Sequence, residues 1–307
     1  MAGSEPLPPA CYPESIRIRM DPMIESRTFS LCADDGHELA ATHYPARVPV
    51  QGAVVIASAM GVSQGYYRPF SEWLAGQGWH VLTFDYRGIG RSRRGPLRRL
   101  EADVLTWARR DCAAAVDAAA ALAPGKPLTW IGHSLGGQLF AMVPNRDRVD
   151  RVLTVATGSG YWRENAPALK RVVWWLWYVV VPVVLPLAGY FPGRRLRKIG
   201  DLPRGVMAQW RRWCLHPDYA VGIEGDWLRE AYASVGQPMT ILSFCDDEYM
   251  SERNTVSLHA FYANAAKTWR RVDPAGSGLR RIGHFGFFRS EPGGAVWEKL
   301  VLPALDG

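Results

Sequence analysis

Hydrophobic and polar positions follow two different periods along the chain. Residues 27–33 and 38–44 flank the turn signal Asp34-Asp35-Gly36, which predicts a β-hairpin. From Gly52 onward, short continuous apolar runs alternate with helix-like stretches, a pattern typical of strands buried on both faces of a parallel sheet. The predicted buried strands are 52–58, 79–84, 127–131, 149–156, 239–244 and 268–272, with helices near 67–76, 103–123, 136 onward, 251–263 and 294–302. This alternation predicts an α/β fold, with a mostly parallel central sheet flanked by helices and joined by right-handed crossovers.

The alternation stops between Gly158 and about Gly236, which predicts an insertion within one domain. We therefore expect an irregular extension over residues 1–24, a core formed by 25–157 and 237–307, and an inserted helical cap over 158–236. The insert holds 7 of the 13 tryptophans of the chain. Large rigid aromatic side chains concentrated in one segment favour a cap over an apolar pocket. Trp174, Trp175 and Trp177 are its predicted substrate-binding residues.

Within the insert, Val172–Gly193 runs for 22 residues without a charge. A bilayer span needs about 20 apolar residues, but Pro182, Pro186 and Pro192 are expected to interrupt a single helix, and a span would separate the two halves of the sheet. A buried or pocket-lining cap segment is the favoured interpretation. Contact with a membrane surface, aided by the basic stretch Arg194–Lys198, comes second, and a true span comes last.

Composition and charge narrow the function classes. The chain is 48% hydrophobic and 21% charged, which excludes whole-chain disorder. Its net charge of +7 permits attraction to anionic surfaces, but no zinc-finger, RNA-binding or basic-zipper pattern accompanies it, so no nucleic-acid partner is expected. The five cysteines are widely spaced and form no C-x-x-C pair for zinc or redox chemistry. Prolines stand where a signal peptide needs an apolar run, so we expect a cytoplasmic location, with peripheral membrane contact left open.

The sequence Gly132-His133-Ser134-Leu135-Gly136 lies directly after a predicted buried strand and before a helical stretch. This strand-turn-helix context is the one that the nucleophile-elbow pattern G-x-S-x-G requires. The glycines are needed because side chains two residues either side of the serine would collide across the turn. Ser134 is therefore the candidate nucleophile.

A serine hydroxyl is a weak nucleophile and needs a base, and the base needs an acid that fixes its tautomer. Among the histidines that follow Ser134, His284 lies in a glycine-rich loop after the last predicted strand, where it can reach back to the serine. His216 and His259 fit structural roles. The acid is expected at the end of a strand between the serine and the histidine, which points to Asp246 or Asp247.

These motifs together resemble the α/β-hydrolases over about residues 25–305. The resemblance is carried by the elbow GHSLGG, the segment Phe84–Ser92 (FDYRGIGRS), the acid loop and the histidine loop. More narrowly, GSGYW at 158–162, DDEYM at 246–250 and GHFGFFR at 283–289 are similar to a bacterial group related to hydrolases of the serine aminopeptidase and monoacylglycerol lipase type. The resemblance implies a Ser-Asp-His hydrolase that needs no cofactor.

The resemblance also implies roles for individual residues. Asp247 is favoured over Asp246 as the acid, because the usual acid loop continues with one variable and one apolar residue, and Asp246 would then brace the loop. The oxyanion hole would take its backbone N–H groups from Leu135 and from Met60. The family usually has His-Gly where this chain has Ser58-Ala59, so the shape of that loop departs from the pattern.

Three functions remain open on the sequence. The first is hydrolysis of a carboxylic ester with an apolar, medium or long acyl group. The second keeps the same triad for acyl transfer or for cleavage of an amide such as a short peptide. The third is a non-catalytic binding module of the same fold, because a fold alone does not fix function.

Overall fold

The computed structural model describes residues 26–47, 49–196, 199–289 and 293–306, so the predicted extension over 1–24 lies outside the described residues. The strands are β1 (Arg27–Cys32), β2 (Glu38–Tyr44), β3 (Gly52–Ala57), β4 (Trp79–Phe84), β5 (Leu128–His133), β6 (Arg151–Val155), β7 (Tyr190–Phe191), β8 (Leu202–Pro203), β9 (Met239–Phe244) and β10 (Lys267–Val272). The α-helices are α1 (Arg68–Gly76), α2 (Val104–Thr106), α3 (Ala113–Leu122), α4 (Leu135–Leu139), α5 (Pro167–Trp175), α6 (Val181–Ala188), α7 (Arg204–Leu215), α8 (Tyr219–Glu224), α9 (Asp226–Ala233), α10 (Glu252–His259) and α11 (Gly293–Asp306).

One eight-stranded sheet organises the described residues, in the order β1-β2-β4-β3-β5-β6-β9-β10. The hairpin β1–β2 pairs antiparallel to β4, and every pairing from β4 to β10 is parallel. The central strands β3 and β5 are buried at every position, as expected for strands covered by helices on both faces. The sequence prediction of an α/β-hydrolase fold with a mostly parallel sheet is confirmed.

The carboxyl ends of the parallel strands meet at one edge of the sheet, where loops collect functional side chains. β5 ends at His133, just before the elbow, and β9 ends at Phe244, just before the acid loop. The loop that follows β3 begins at Ser58. The topology therefore delivers all the predicted catalytic segments to the same edge.

The segment between β6 and β9 lies outside the main sheet. It holds helices α5 to α9 and a two-stranded ribbon formed by β7 and β8. Because β6 and β9 are parallel neighbours, the chain must travel back along the sheet before β9 begins. The last helix of the segment, α9, packs back onto the core: its Leu228 and Tyr232 are fully buried, and the Tyr232 hydroxyl donates to the Gln138 carbonyl at 2.8 Å.

The prediction that prolines interrupt the uncharged run is wrong. A continuous helix, which we call the cap helix, extends from Pro167 to Ala188 through α5, a π-helical stretch at Leu176–Val180 and α6. Pro182 follows the π-helical stretch in the first turn of α6, and Pro186 lies inside α6. Both prolines are exposed, so carbonyl groups that lose a helical partner there can bind water.

Candidate active site

The turn between β5 and α4 holds Ser134 in a strained conformation. Its φ of +52° and ψ of −111° lie where residues with a side chain are uncommon. The glycines around it are required by space: a Cβ on Gly132 would lie 2.4 Å from the Gly137 Cα, and one on Gly136 would lie 2.1 Å from the Ala57 carbonyl oxygen. The backbone N–H of Ser134 donates to the Val155 carbonyl at 2.9 Å, which fastens the turn to the neighbouring strand.

The structure brings Ser134, His284 and Asp247 together. The Ser134 Oγ lies 3.0 Å from the His284 Nε2, and the His284 Nδ1 lies 2.9 Å and 3.1 Å from the two Asp247 carboxylate oxygens. All three residues are buried, so little water competes for these bonds. The Asp247 Oδ1 also accepts the backbone N–H groups of Tyr249 and Met250, each at 2.8 Å, which leaves the carboxylate one orientation.

The carboxylates on either side of Asp247 bind the backbone of the histidine loop. The Asp246 Oδ2 accepts N–H groups from Ile282 at 2.9 Å and Gly283 at 3.0 Å. The Glu248 Oε2 accepts the N–H of His284 at 3.0 Å. Three consecutive acidic residues thus hold one loop, two by its backbone and one by the imidazole.

His133, beside the candidate nucleophile, is fully buried and links two loops. Its Nε2 lies 3.0 Å from the His284 carbonyl, and its Nδ1 lies 2.9 Å from the Tyr67 hydroxyl, which accepts the Ala59 N–H at 2.9 Å. Burial, and secondarily the nearby His284 imidazole, lower the pKa of His133 to about 3. The imidazole is therefore neutral, and since a carbonyl can only accept, Nε2 carries the proton and Nδ1 accepts from Tyr67.

One predicted oxyanion donor, Leu135, follows Ser134 in the sequence. The other, Met60, lies in the loop after β3. Leu135 is the first residue of α4, so its N–H is one of those that a helix leaves without an internal partner. Met60 is buried and belongs to a turn closed by the bond from the Val62 N–H to the Ala59 carbonyl, 3.1 Å. The Ala59 N–H donates to the Tyr67 hydroxyl, so the backbone at Ser58-Ala59 is held in place although these residues differ from the usual His-Gly.

The predicted substrate-binding tryptophans do not lie on one face. Trp177 is buried at 2% exposure and packs edge-to-face on Trp210 at 5.0 Å, whereas Trp174 and Trp175 are 45% and 52% exposed. The reason is helical spacing: the inward stripe of the cap helix repeats every four residues, and Trp174 and Trp175 fall outside it. The structure therefore does not gather the three rings into one wall.

Sequence reasoning missed Tyr67 and the backbone role of Glu248. Tyr67 is 66 residues from its partner His133, and no local pattern marks that contact. For Glu248 a signal was present, since it is the third of the consecutive acids that follow a strand end. Asp85 and His259 have structural roles: Asp85 accepts the Gln64 and Arg91 N–H groups, and His259 lies between Thr154 and Thr255.

Comparisons with known proteins identify the family and the fold of the chain. The family described as serine aminopeptidase, S33, matches residues 48–208, more than half of the chain. No curated protein matches the chain significantly.

Among solved structures, the chain is similar to a soluble variant of monoglyceride lipase from Saccharomyces cerevisiae, in complex with a substrate analogue (TM-score 0.56, 16% identity, 86% of this chain and 89% of that one). It is also similar to an esterase of Pyrococcus furiosus (TM-score 0.57, 15% identity, 92% of each chain). A third similar structure is the esterase domain of a Rhodothermus marinus protein (TM-score 0.55, 17% identity, 92% of this chain and 97% of that one). At these identities the likeness concerns the fold.

Proposed function

The chain belongs to the family of the serine aminopeptidase S33 and is a hydrolase, and from this premise we propose that it cleaves a carboxylic ester through a covalent acyl-enzyme. The observation that carries the proposal is the row of hydrogen bonds from the Ser134 Oγ through His284 to Asp247. The lipase and esterase names of its structural neighbours favour an ester over an amide.

In the proposed mechanism, the Ser134 Oγ attacks the ester carbonyl while its proton passes to the His284 Nε2. The tetrahedral oxyanion accepts the N–H groups of Leu135 and Met60. The intermediate collapses as the bond to the alcohol breaks and His284 returns the proton to the leaving oxygen. Water then repeats the sequence on the acyl-enzyme, with His284 as base, and releases the acid. Asp247 holds the imidazole and stabilises its charged form throughout.

Labelling tests the covalent step. Intact-mass analysis after exposure to a fluorophosphonate is expected to show one adduct, located on Ser134 by peptide mapping. A Ser134→Ala variant should neither label nor turn over ester. A variant that still labels and keeps full activity would refute the mechanism.

For the substrate, we propose an ester with an apolar, medium or long acyl group. We also propose that the enzyme contacts a membrane and binds this substrate there. The apolar character of the cap helix supports both parts. A series of p-nitrophenyl esters from acetyl to palmitoyl tests the acyl group, and the highest kcat/KM is expected on the medium or long chains. Strongest activity on acetyl esters would contradict the proposed acyl group.

The same series separates the rival functions. Turnover in water without an added acceptor supports hydrolysis, and turnover only with an added alcohol or thiol supports acyl transfer. Cleavage of aminoacyl p-nitroanilides in preference to esters would support a peptidase. Absence of turnover on all of them would favour a binding module.

A further inference from the structure

The cap helix presents an apolar surface to solvent as well as to the core. Its inward stripe, Val173, Trp177, Val181 and Leu185, is buried in the main hydrophobic cluster. Its outer face carries six of the twelve exposed large hydrophobic side chains found among the described residues: Val172, Trp174, Trp175, Tyr178, Val183 and Leu187, between 45% and 83% exposed. Helices on the surface of a soluble protein usually place charged or polar residues there. An apolar outer face of this size indicates an interaction surface.

The charges that flank this face along the sequence have one sign. Between Glu164 and Asp201 the sequence contains no acidic residue and six basic ones, at positions 170, 171, 194, 195, 197 and 198. Lys170 and Arg171 are exposed on the first turns of the cap helix, and Arg194 and Arg195 are exposed just beyond the β7 strand. The outer face is therefore an apolar and aromatic band with basic groups beyond both ends.

This combination matches an anionic lipid surface. Tryptophan and tyrosine favour the boundary between headgroups and acyl chains, because one end of each ring system is apolar and the other can hydrogen-bond. Basic groups beside the band attract anionic headgroups. A second copy of the chain fits less well, since apposing two such faces would bring two clusters of positive charge together.

Spanning is excluded by the inward stripe. By length and composition alone, the cap helix is long and apolar enough to cross a bilayer. Its inner face, however, is packed against the same core that holds β6 and β9, the strands before and after the insert. A helix packed in this way can lie on a membrane but cannot cross it.

We infer that the outer face of the cap helix docks the enzyme on anionic membranes, with the helix axis parallel to the surface and the exposed aromatic side chains in the headgroup region. This inference deepens the membrane part of the proposed function, on which it rests for the substrate. The docking surface consists of Val172, Trp174, Trp175, Tyr178, Val183 and Leu187, together with the exposed basic residues Lys170, Arg171, Arg194 and Arg195.

Cosedimentation of the full chain with vesicles tests the surface. We expect binding to phosphatidylglycerol vesicles that weakens at high salt, and much weaker binding to phosphatidylcholine vesicles. The double variant Val183→Glu/Leu187→Glu adds two carboxylates at exposed positions and should lower the affinity at least about tenfold. Arg194→Gln/Arg195→Gln should lower it by about tenfold and flatten its salt dependence.

Two controls match these changes at places away from the surface. Phe29→Glu alters an exposed apolar residue on the edge strand β1, and Arg47→Gln removes a charge after β2, at the sheet edge opposite the elbow. Both should bind vesicles as the wild type does. Hydrolysis of a water-soluble short ester should be unchanged in Val183→Glu/Leu187→Glu, since both side chains are exposed in the folded protein.

Failure of docking and failure of catalysis are distinguishable. Ester hydrolysis without vesicle binding at low salt, or equal binding by the wild type and Val183→Glu/Leu187→Glu, overturns the docking surface and leaves the hydrolase standing. Vesicle binding without ester hydrolysis does the reverse. A wild-type dimer that the double variant dissociates, with vesicle binding unaffected, would assign the face to a second copy and also overturn the inference.

Discussion

At the residue scale, the direction of every hydrogen bond around His133 is determined. The Ala59 N–H donates to Tyr67, the Tyr67 hydroxyl donates to His133, and His133 donates to the His284 carbonyl. This series of hydrogen bonds joins the loop that carries Met60 to the loop that carries the candidate base. Its members have no role as reactants, but they set the distance between the two sides of the site.

Removal of the Tyr67 hydroxyl should therefore affect turnover more than substrate affinity. In Tyr67→Phe the Ala59 N–H and the His133 Nδ1 both lose a buried partner, and we expect kcat to fall about tenfold or more with KM little changed. The control is Thr154→Val, which removes another buried hydroxyl that binds an imidazole, that of His259 at 3.0 Å. Equal effects of the two variants on kcat would show that Tyr67 acts only through stability.

The two adjacent aspartates should respond differently to the same change. Asp247→Asn is expected to lower kcat by about 10⁴, because an amide nitrogen facing His284 favours the wrong imidazole tautomer. Asp246→Asn should cost about tenfold or less, since the amide oxygen can still accept the Ile282 and Gly283 N–H groups. Measured kcat values, with circular dichroism to check folding, decide between them. The reverse order would assign the acid to Asp246.

The proximity of Ser134, Asp247 and His284 was predictable because each follows the carboxyl end of a strand or the last strand of a parallel sheet. Tyr67 was not predictable, since its contacts depend on how the loop after β3 packs on the elbow. The divergent exposure of Trp174 and Trp177 depends on the phase of one helix, which composition alone does not determine.

At the scale of elements, glycine is required in the elbow but not at the end of the surface helix α1. Gly132→Ala would place a Cβ 2.4 Å from the Gly137 Cα, so the turn must open; we expect activity to fall at least about 100-fold and stability to fall by about 1–3 kcal/mol. Gly76→Ala lies at the end of α1 with open space around it, and should stabilise the protein by about 0.5–1 kcal/mol without loss of activity. Urea unfolding and ester turnover measure both. An active Gly132→Ala protein would contradict the steric account of the elbow.

The sequence predicted the bounds of most core elements to within three residues, but its prediction for the cap helix was wrong. The prolines at 182 and 186 suggested a broken helix, but the cap helix continues through them. Tertiary contacts decide this: the Trp177 carbonyl in the π-helical stretch accepts the Arg211 Nε–H at 2.5 Å, and the stripe of buried apolar residues holds both halves. Local propensity cannot report such contacts.

At the scale of the molecule, buried imidazoles make the fold sensitive to acid. Burial lowers the pKa of His43 and His259 to about 4 and that of His133 to about 3. Below about pH 6.5 the unfolded chain binds protons at these groups and the folded chain does not, so stability falls as pH falls toward 4. Each group contributes about 1.4 kcal/mol per pH unit in that range.

Urea unfolding at a series of pH values checks this. His259→Gln should be less stable than the wild type near pH 7. Between pH 6 and 4, the free energy of unfolding of the variant should fall less steeply than that of the wild type, and the two slopes should differ by about 1.4 kcal/mol per pH unit. Above pH 7 the two curves should run parallel. Equal slopes below pH 6 would mean that His259 is not held neutral in the folded protein.

In the segment that connects β6 to β9, one part can be exchanged between relatives and another part cannot. Residues 163–203 contribute no strand to the main sheet, so a chimaera can exchange them for those of a relative that carries the same inward apolar stripe. Helices α8 and α9 cannot be exchanged together with them: Tyr219 and Tyr232 both bind Gln138 in the elbow helix, so they transmit the position of the crossover to the catalytic turn. A chimaera that keeps residues 204–236 should fold and inherit the acyl preference of the donor, whereas replacement of all of 158–236 should yield insoluble chain.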